Sequence, residues 1–348
     1  MPRALSLLLL TAAAIGAPIS LSAQTLYVSS DFSHEVLRYD PQTGAFIDVL
    51  VSAGSGGLDQ PHGIIDRGAD IIVASFGTDQ VLRYDAATGA FLGVFIDSAT
   101  GLDDPVYMAH GPDGNLYISS QASEEILRFS PDGVLIDAFV TAGSGGLDGP
   151  SGFAFASDGR LYVAGRYSAN VLAYDGATGA FIETVLDGSD GLAIGNTFGL
   201  KIGDNGDLYV ASNNNVYRYN LTTQTIVSIP VGFPIGLENS PDGGIFVATS
   251  NNLRLINTTD NSIGGFFLSG GAINVRNFFH LSGGGGAVCP GDMNGNGVVE
   301  LTDIDPFVAQ LLGGADETCP DADLSGVVDG RDIAAFVTRL TTGNCGEL

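Results

Sequence analysis

The sequence predicts a mainly β chain: a six-bladed β-propeller followed by a small α-helical, calcium-binding domain. Three observations lead there. A short Leu-Tyr-Val-type stretch recurs six times along the chain. Glycine supplies 50 of 348 residues and tryptophan none, as many tight turns between short strands require. Two Asp-rich loops of matching spacing stand in tandem near the C-terminus.

The repeat sets the architecture. Leu26-Tyr27-Val28 returns as Ile71-Ile72-Val73, Leu116-Tyr117-Ile118, Leu161-Tyr162-Val163, Leu208-Tyr209-Val210 and Ile245-Phe246-Val247, in steps of 45, 45, 45, 47 and 37 residues. A second strand follows each, as in Val36 to Asp40 and Val81 to Asp85. A tight turn such as Pro41-Gln42-Thr43-Gly44 then leads to a third strand at Ala45-Phe46-Ile47. A fourth precedes each Leu-Tyr-Val stretch, as Gly152 to Phe155 does before the turn Ser157-Asp158-Gly159. Four short antiparallel strands at this period are a propeller blade, and one blade alone leaves both faces uncovered. The first unit lacks its own inner strand, so Ala272 to Leu281 is expected to pair beside Leu26 and close the ring.

The ends divide from this body by composition. Arg3, the apolar run Leu5 to Ile15 and the small residues Leu21-Ser22-Ala23 read as a secretory signal over 1–23, giving an exported protein, secreted or held at the cell surface. The propeller occupies 24–282, a Gly-rich linker 283–288, and the C-terminal domain 289–348.

With 39 acidic against 13 basic residues and a single lysine, Lys201, the chain has no means of building a basic face. Nucleic-acid binding and attachment to an anionic membrane surface are excluded on that ground. The acidity points to cation binding where the acids are spaced as ligands. In the first C-terminal loop Asp292, Asn294, Asn296, Glu300 and Asp303 bring oxygens to positions 1, 3, 5, 9 and 12, Val298 offers its carbonyl at 7, and Gly297 makes the sharp turn. The second loop repeats the pattern 29 residues on, with Asp321, Asp323, Ser325, Val327, Asp329 and Asp332 around Gly326. Each leads into an apolar-periodic segment, Ile304 to Leu312 and Ile333 to Leu340, that reads as a helix. Two Ca²⁺ ions are the expected cofactors.

Over 289–345 these paired EF-hand-like loops resemble the type I dockerin family. The resemblance implies calcium-dependent folding and a cohesin-type domain or surface protein as docking partner. It also implies cohesin contacts at loop positions 10 and 11, which differ here: Leu301-Thr302 in one loop, Gly330-Arg331 in the other. The three cysteines, Cys289, Cys319 and Cys345, all fall in this domain. One disulfide and one spare thiol are expected, with Cys289–Cys345, which clasps the two ends, preferred over the other two pairings.

The blades, through Pro-x-Gly before the inner strand, Asp-Gly in the turn and Leu-Tyr-Val after it, resemble NHL-type propellers and the virginiamycin-B-lyase-like and gluconolactonase-like folds. That resemblance implies architecture rather than chemistry. Candidate ligand-binding residues come from the loop entering each inner strand: Asp59, Asp103 and Asp148 at one end of the channel, with His62 and His110 near them. Ala193 and Pro230 stand in the corresponding region of the later blades. His34 reads as a turn residue and His280 as part of the closing strand. No nucleophile elbow, phosphate loop or zinc-protease motif is present, so no catalytic residue is assigned. The expected function is a propeller that binds an extracellular carbohydrate or protein, tethered by a dockerin-like tail. The alternative is an extracellular hydrolase, lyase or lactonase of polysaccharide or lactone metabolism recruited by the same tail.

Overall fold

A computed structural model describes residues 25–268, except 190, 191, 193, 241, 242, 250 and 251, and the backbone of 279–281. The expected signal segment, linker, calcium loops and helices, and the three cysteines, lie outside the described residues. The protein is mainly β: six antiparallel sheets of four strands each, the blades of a propeller.

From the axis outward, blade 1 runs Phe279–Leu281, Leu26–Ser30, Glu35–Tyr39 and Phe46–Val51. Blade 2 is Pro61–Asp66, Asp70–Ser75, Gln80–Asp85 and Phe91–Ile96, and blade 3 is Pro105–His110, Leu116–Ser120, Glu125–Phe129 and Leu135–Val140. Blade 4 is Pro150–Phe155, Arg160–Gly165, Asn170–Asp175 and Phe181–Leu186. Blade 5 is Thr197–Ile202, Leu208–Ser212, Asn215–Tyr219 and Ile226–Pro230, and blade 6 is Leu237–Asn239, Ile245–Ala248, Leu253–Ile256 and Ile263–Phe266. The ring closes as expected, the late strand pairing Leu281 with Leu26, His280 with Tyr27 and Phe279 with Val28.

The second strand of every blade is buried on both faces, so its residues alternate between two seams rather than between core and water. Ile71 and Val73 pack toward blade 1, while Ile72 and Ala74 pack toward blade 3. Six apolar cores result, each straddling two consecutive blades, and the last joins Leu26, Val28 and Leu37 of blade 1 to Phe246 and Leu253 of blade 6. Tyr39, Tyr84, Phe129 and Tyr174, the aromatic residues that close four of the third strands, are wholly buried.

The turns after the third strands are built from side chains. Asp40 Oδ1 accepts from the Gln42 amide, the Thr43 amide and the Thr43 hydroxyl at 3.0, 2.7 and 2.8 Å. Asp85, Asp175 and Asn220 do the same with Thr88, Thr178 and Thr223. The glycine that ends this turn meets the preceding blade. A Cβ on Gly44, Gly89 or Gly179, at φ +67°, +70° and +72°, would stand 1.9, 1.7 and 1.8 Å from the carbonyl oxygens of Phe267, Leu50 and Phe139. Only glycine tolerates both the left-handed backbone and this approach.

Near the axis, Lys201 of blade 5 forms an ion pair with Glu238 of blade 6, both side chains largely buried. Burial alone pulls the ammonium down, yet the Glu238 carboxylate, with Tyr107 and Asp204 adding, outweighs it and holds Lys201 above its ordinary range. A lysine so held is a fixed cation rather than a nucleophile.

Gly89→Ala is expected to destabilise the propeller by about 2–4 kcal/mol, from backbone strain plus a carbonyl clash. Urea unfolding followed by circular dichroism measures it, and an unchanged midpoint would refute the close-approach account.

Candidate functional site: the upper mouth of the channel

Among the described residues, the crossovers from an outer strand to the next inner strand run over one face, together with the turns between second and third strands. This upper face is fixed by a recurring hydroxyl. Ser75 Oγ accepts the Asp59 amide at 3.0 Å and donates to the Asp59 carbonyl at 3.1 Å, and Ser120 does the same for Asp103 at 2.9 and 3.0 Å. In blade 5 the Gly195 amide donates to Ser212 Oγ at 3.0 Å. Blade 4 has Gly165 at that position, and Ser168, three residues on, takes over by accepting the Asp148 amide at 3.2 Å. The residue after each latched one turns left-handed: Gln60, Asp104, Gly149, Asn196 and Phe233 have φ of +49°, +52°, +61°, +24° and +47°. The chain then drops into the inner strand.

Asp59, Asp103 and Asp148 therefore hold equivalent places on the upper face. Their equivalents in blades 5 and 6 are Gly195 and Gly232, two residues beyond Ala193 and Pro230, because strand register and not loop length sets the alignment. Two of these acids, Asp59 and Asp103, serve the seams between blades. Asp59 Oδ1 lies 2.5 Å from His34 Nδ1 on the neighbouring blade 1, so His34 is a seam residue and not simply a turn. Asp103 and Asp104 gather with Asp79 of blade 2, their carboxylate oxygens all within 4.8 Å of one another. The Asp104 amide donates to Asp79 Oδ1 at 2.9 Å. Burial, then the charges of Asp103 and Asp79, raise the Asp104 carboxyl. These three are the metal-ligating cluster among the described residues, and a Ca²⁺ ion there would need further oxygens to reach six.

The histidines separate. His62 is the second residue of its strand, at the mouth; its ring packs 4.6 Å from Phe76. His110 is the last residue of its strand, paired with Leu116 beside the lower turn, about 16 Å along the strand from Pro105 at the usual rise. A six-residue inner strand spans the blade, so the two histidines face opposite ends. His280 contributes its backbone to the closing strand.

What converges at the mouth is a set the repeat conceals. In blades 1 to 5 the residue immediately after the Leu-Tyr-Val-type strand differs from blade to blade: Asp31, Phe76, Gln121, Arg166 and Asn213. Arg166 Nη1 donates to Gln121 Oε1 at 3.1 Å, and the Tyr167 hydroxyl donates to the same oxygen at 3.2 Å. The Arg166 guanidinium lies over the rings of Phe198 and Tyr167, 4.7 and 5.5 Å from their centroids. With Gln121 Oε1 doubly engaged, its Nε2 is buried with no partner among the described residues, and so is Arg166 Nε. Arg166 faces no carboxylate among the described residues, whereas Arg38, Arg67, Arg83, Arg128, Arg160 and Arg218 each do. Burial, reinforced by the Arg166 charge, pushes His62 down to about 3, so it stays neutral.

Sequence reading found the upper face through its repeated acids but passed over Gln121, Arg166 and Phe198, which do not repeat. The available signal was that one column varies between two constant ones.

His62 binds its proton only near pH 3 in the fold, against about 6.5 when unfolded. The unfolded chain takes up that proton first, so the stability tied to His62 is complete above pH 6.5 and declines as pH falls toward 3. Between pH 7 and 5 the wild type is expected to lose about 1–2 kcal/mol more than His62→Gln. Urea midpoints at both pH values test this, and parallel losses would show that His62 is not desolvated.

No family model and no curated protein matches the chain. Solved structures do. A streptogramin B lyase is 17% identical with a TM-score of 0.52, over 74% of this chain and 87% of that one. A chain of a nidogen/laminin complex is 11% identical with a TM-score of 0.59, over 74% and 98%. A putative 6-phosphogluconolactonase from Bacteroides uniformis is 14% identical with a TM-score of 0.51, over 74% and 99%. At these identities the likeness gives the fold: a six-bladed β-propeller resembling virginiamycin B lyase and NHL-type propellers.

Proposed function

We propose that this chain is a secreted calcium-binding protein. Its propeller binds an extracellular carbohydrate or protein at the upper mouth. Its C-terminal segment is a dockerin-like module that takes two Ca²⁺ ions and docks to a cohesin-type or surface partner. The observation that carries the binding reading is the pair of buried donors, Gln121 Nε2 and Arg166 Nε, without partners among the described residues. A buried donor left without a partner costs about 1–3 kcal/mol, and a ligand acceptor would recover that cost. For the tail, the support is the tandem ligand spacing of Asp292 to Asp303 and Asp321 to Asp332.

The mouth favours binding over turnover. Of the two histidines on the upper face, His34 is engaged by Asp59 across the seam between blades 1 and 2, and His62, with a proton affinity near pH 3, is a poor general base at neutral pH. Lys201, toward the lower end of its strand, is held charged by Glu238, which removes it as a nucleophile in the channel.

Calorimetric titration of the full mature chain with Ca²⁺ is expected to give two sites, with Asp292→Ala and Asp321→Ala each removing one. Capture of a surface or secreted partner from the source organism is expected with calcium and not with chelator. Absence of calcium binding would overturn the dockerin-like reading. Calcium binding without any captured partner would reduce the tail to a calcium-stabilised cap.

A further inference from the structure

The upper face carries a second feature besides the unpaired donors. Among the exposed large apolar side chains of the described residues, three stand on this face and all are aromatic: Phe32, Tyr167 and Phe233, at 60%, 58% and 66% exposure. The others line outer strands or the turns that lead into them, where edges meet water. Phe233 is the most telling. It occupies the left-handed position that Gln60, Asp104, Gly149 and Asn196 fill in the other blades, at φ +47°. A bulky residue there is strained, and with the ring exposed no burial offsets the strain. Phe32 and Tyr167 stand next to Asp31 and Arg166, in the variable column of blades 1 and 4.

Flat exposed rings beside hydrogen-bond donors suit a sugar, whose C–H face stacks on the ring while its hydroxyls take the polar groups. The cation narrows the class further. Arg166 is partly buried, stacked on Phe198 and Tyr167, and held by Gln121 with its Nε partnerless. A planar guanidinium so oriented is built for an oxyanion. The crossover carboxylates of blades 2, 3 and 4, Asp59, Asp103 and Asp148, give way to Gly195 and Gly232 in blades 5 and 6. Blades 5 and 6, between Arg166 and Phe233, thus lack the two carboxylates that this position would otherwise place there.

We propose that the mouth binds an acidic saccharide, its carboxylate or sulfate on Arg166 and its sugar rings on Tyr167 and Phe233. This rests on the binding reading above.

The test uses the full mature protein in calcium buffer and four probes. These are tetragalacturonate and its methyl ester, and a sulfated galactan tetrasaccharide and its desulfated parent. At least one charged probe is expected to bind about tenfold or more tighter than its neutral counterpart. Arg166→Gln is expected to erase that preference while leaving the neutral probe's affinity within about twofold, and Phe233→Ala to weaken both by about tenfold. Which charged probe binds separates carboxylate from sulfate. The wild-type comparison needs no variant to fold, and thermal midpoints check those that are used. Equal binding of charged and neutral probes would overturn the oxyanion assignment and leave carbohydrate binding standing. Binding of none of the four would overturn the saccharide proposal. If a protein ligand were then captured through the propeller, the broader binding reading would survive; if none were, that reading would fall as well.

Discussion

Everything in this molecule depends on closing the ring. Each blade is apolar on both faces, so no blade is finished until it has two neighbours, and five seams along the chain still leave two faces bare. The sixth seam must come from joining the ends. Leu26, Val28, Leu37 and Tyr39 of blade 1 meet Phe246, Leu253 and Leu268 from the far end of the propeller, each at 4% exposure or less. At about 1.5–3 kcal/mol per large apolar side chain, that seam is worth on the order of 10 kcal/mol. A whole domain is typically stable by only about 5–15 kcal/mol. An opened ring would therefore forfeit a quantity comparable to its net stability, and three residue pairs between 279–281 and 26–28 hold it shut. This sets the propeller apart from an open solenoid, which can lose a terminal repeat and keep the others.

Closure fixes the blades but not what they present. That is decided on the upper face, where a hydroxyl latch pins the crossover loops of blades 2 to 5 and the residue after the latch strand is released from structural duty. The latch tolerates relocation: Gly165 breaks the serine column, and Ser168 reaches back to the same loop amide. One face of the ring is thus rigid in backbone and free in side chain, which is the arrangement a binding site on a repeat scaffold needs. Asp31, Phe76, Gln121, Arg166 and Asn213 fill that freedom with five different chemistries.

The blades, their number, the turn chemistry and the closing strand were legible in the sequence because they recur, and recurrence at a fixed period can only mean stacked units. The mouth was much less legible for the same reason. Asp59, Asp103 and Asp148 attract attention by repeating in three blades, yet Asp59 and Asp103 serve contacts between neighbouring blades, with His34 and with Asp79. A ligand approaches the ring from one side and requires asymmetry, so its contacts lie where the repeat fails. His110 was misplaced by a different cause: the pattern locates a strand, but only its length decides which end a residue reaches. Ala193 and Pro230 mark loops that lack the acid, and only strand register resolves the equivalent positions, Gly195 and Gly232, because the loop lengths differ.

The charge of the chain bears on the same question from another side. With a formal net charge of −26, an arginine is easily neutralised, and most are. Arg38 with Asp48, Arg128 with Asp137, Arg160 with Glu183 and Arg218 with Asp207 form pairs along the blades, and Arg254 donates to the carbonyls of Val231 and Gly264. Arg166 alone among these is set between two aromatic rings and an amide, groups that orient a guanidinium without discharging it. The global charge opposes an anion only weakly at contact range, since at physiological ionic strength a field decays over about 8 Å. A charge-assisted, two-pronged contact inside the mouth is subject to little such screening. A strongly acidic protein can therefore keep one site for an acid, provided that its cation is sheltered from the protein's own carboxylates, and the rings of Phe198 and Tyr167 provide that shelter.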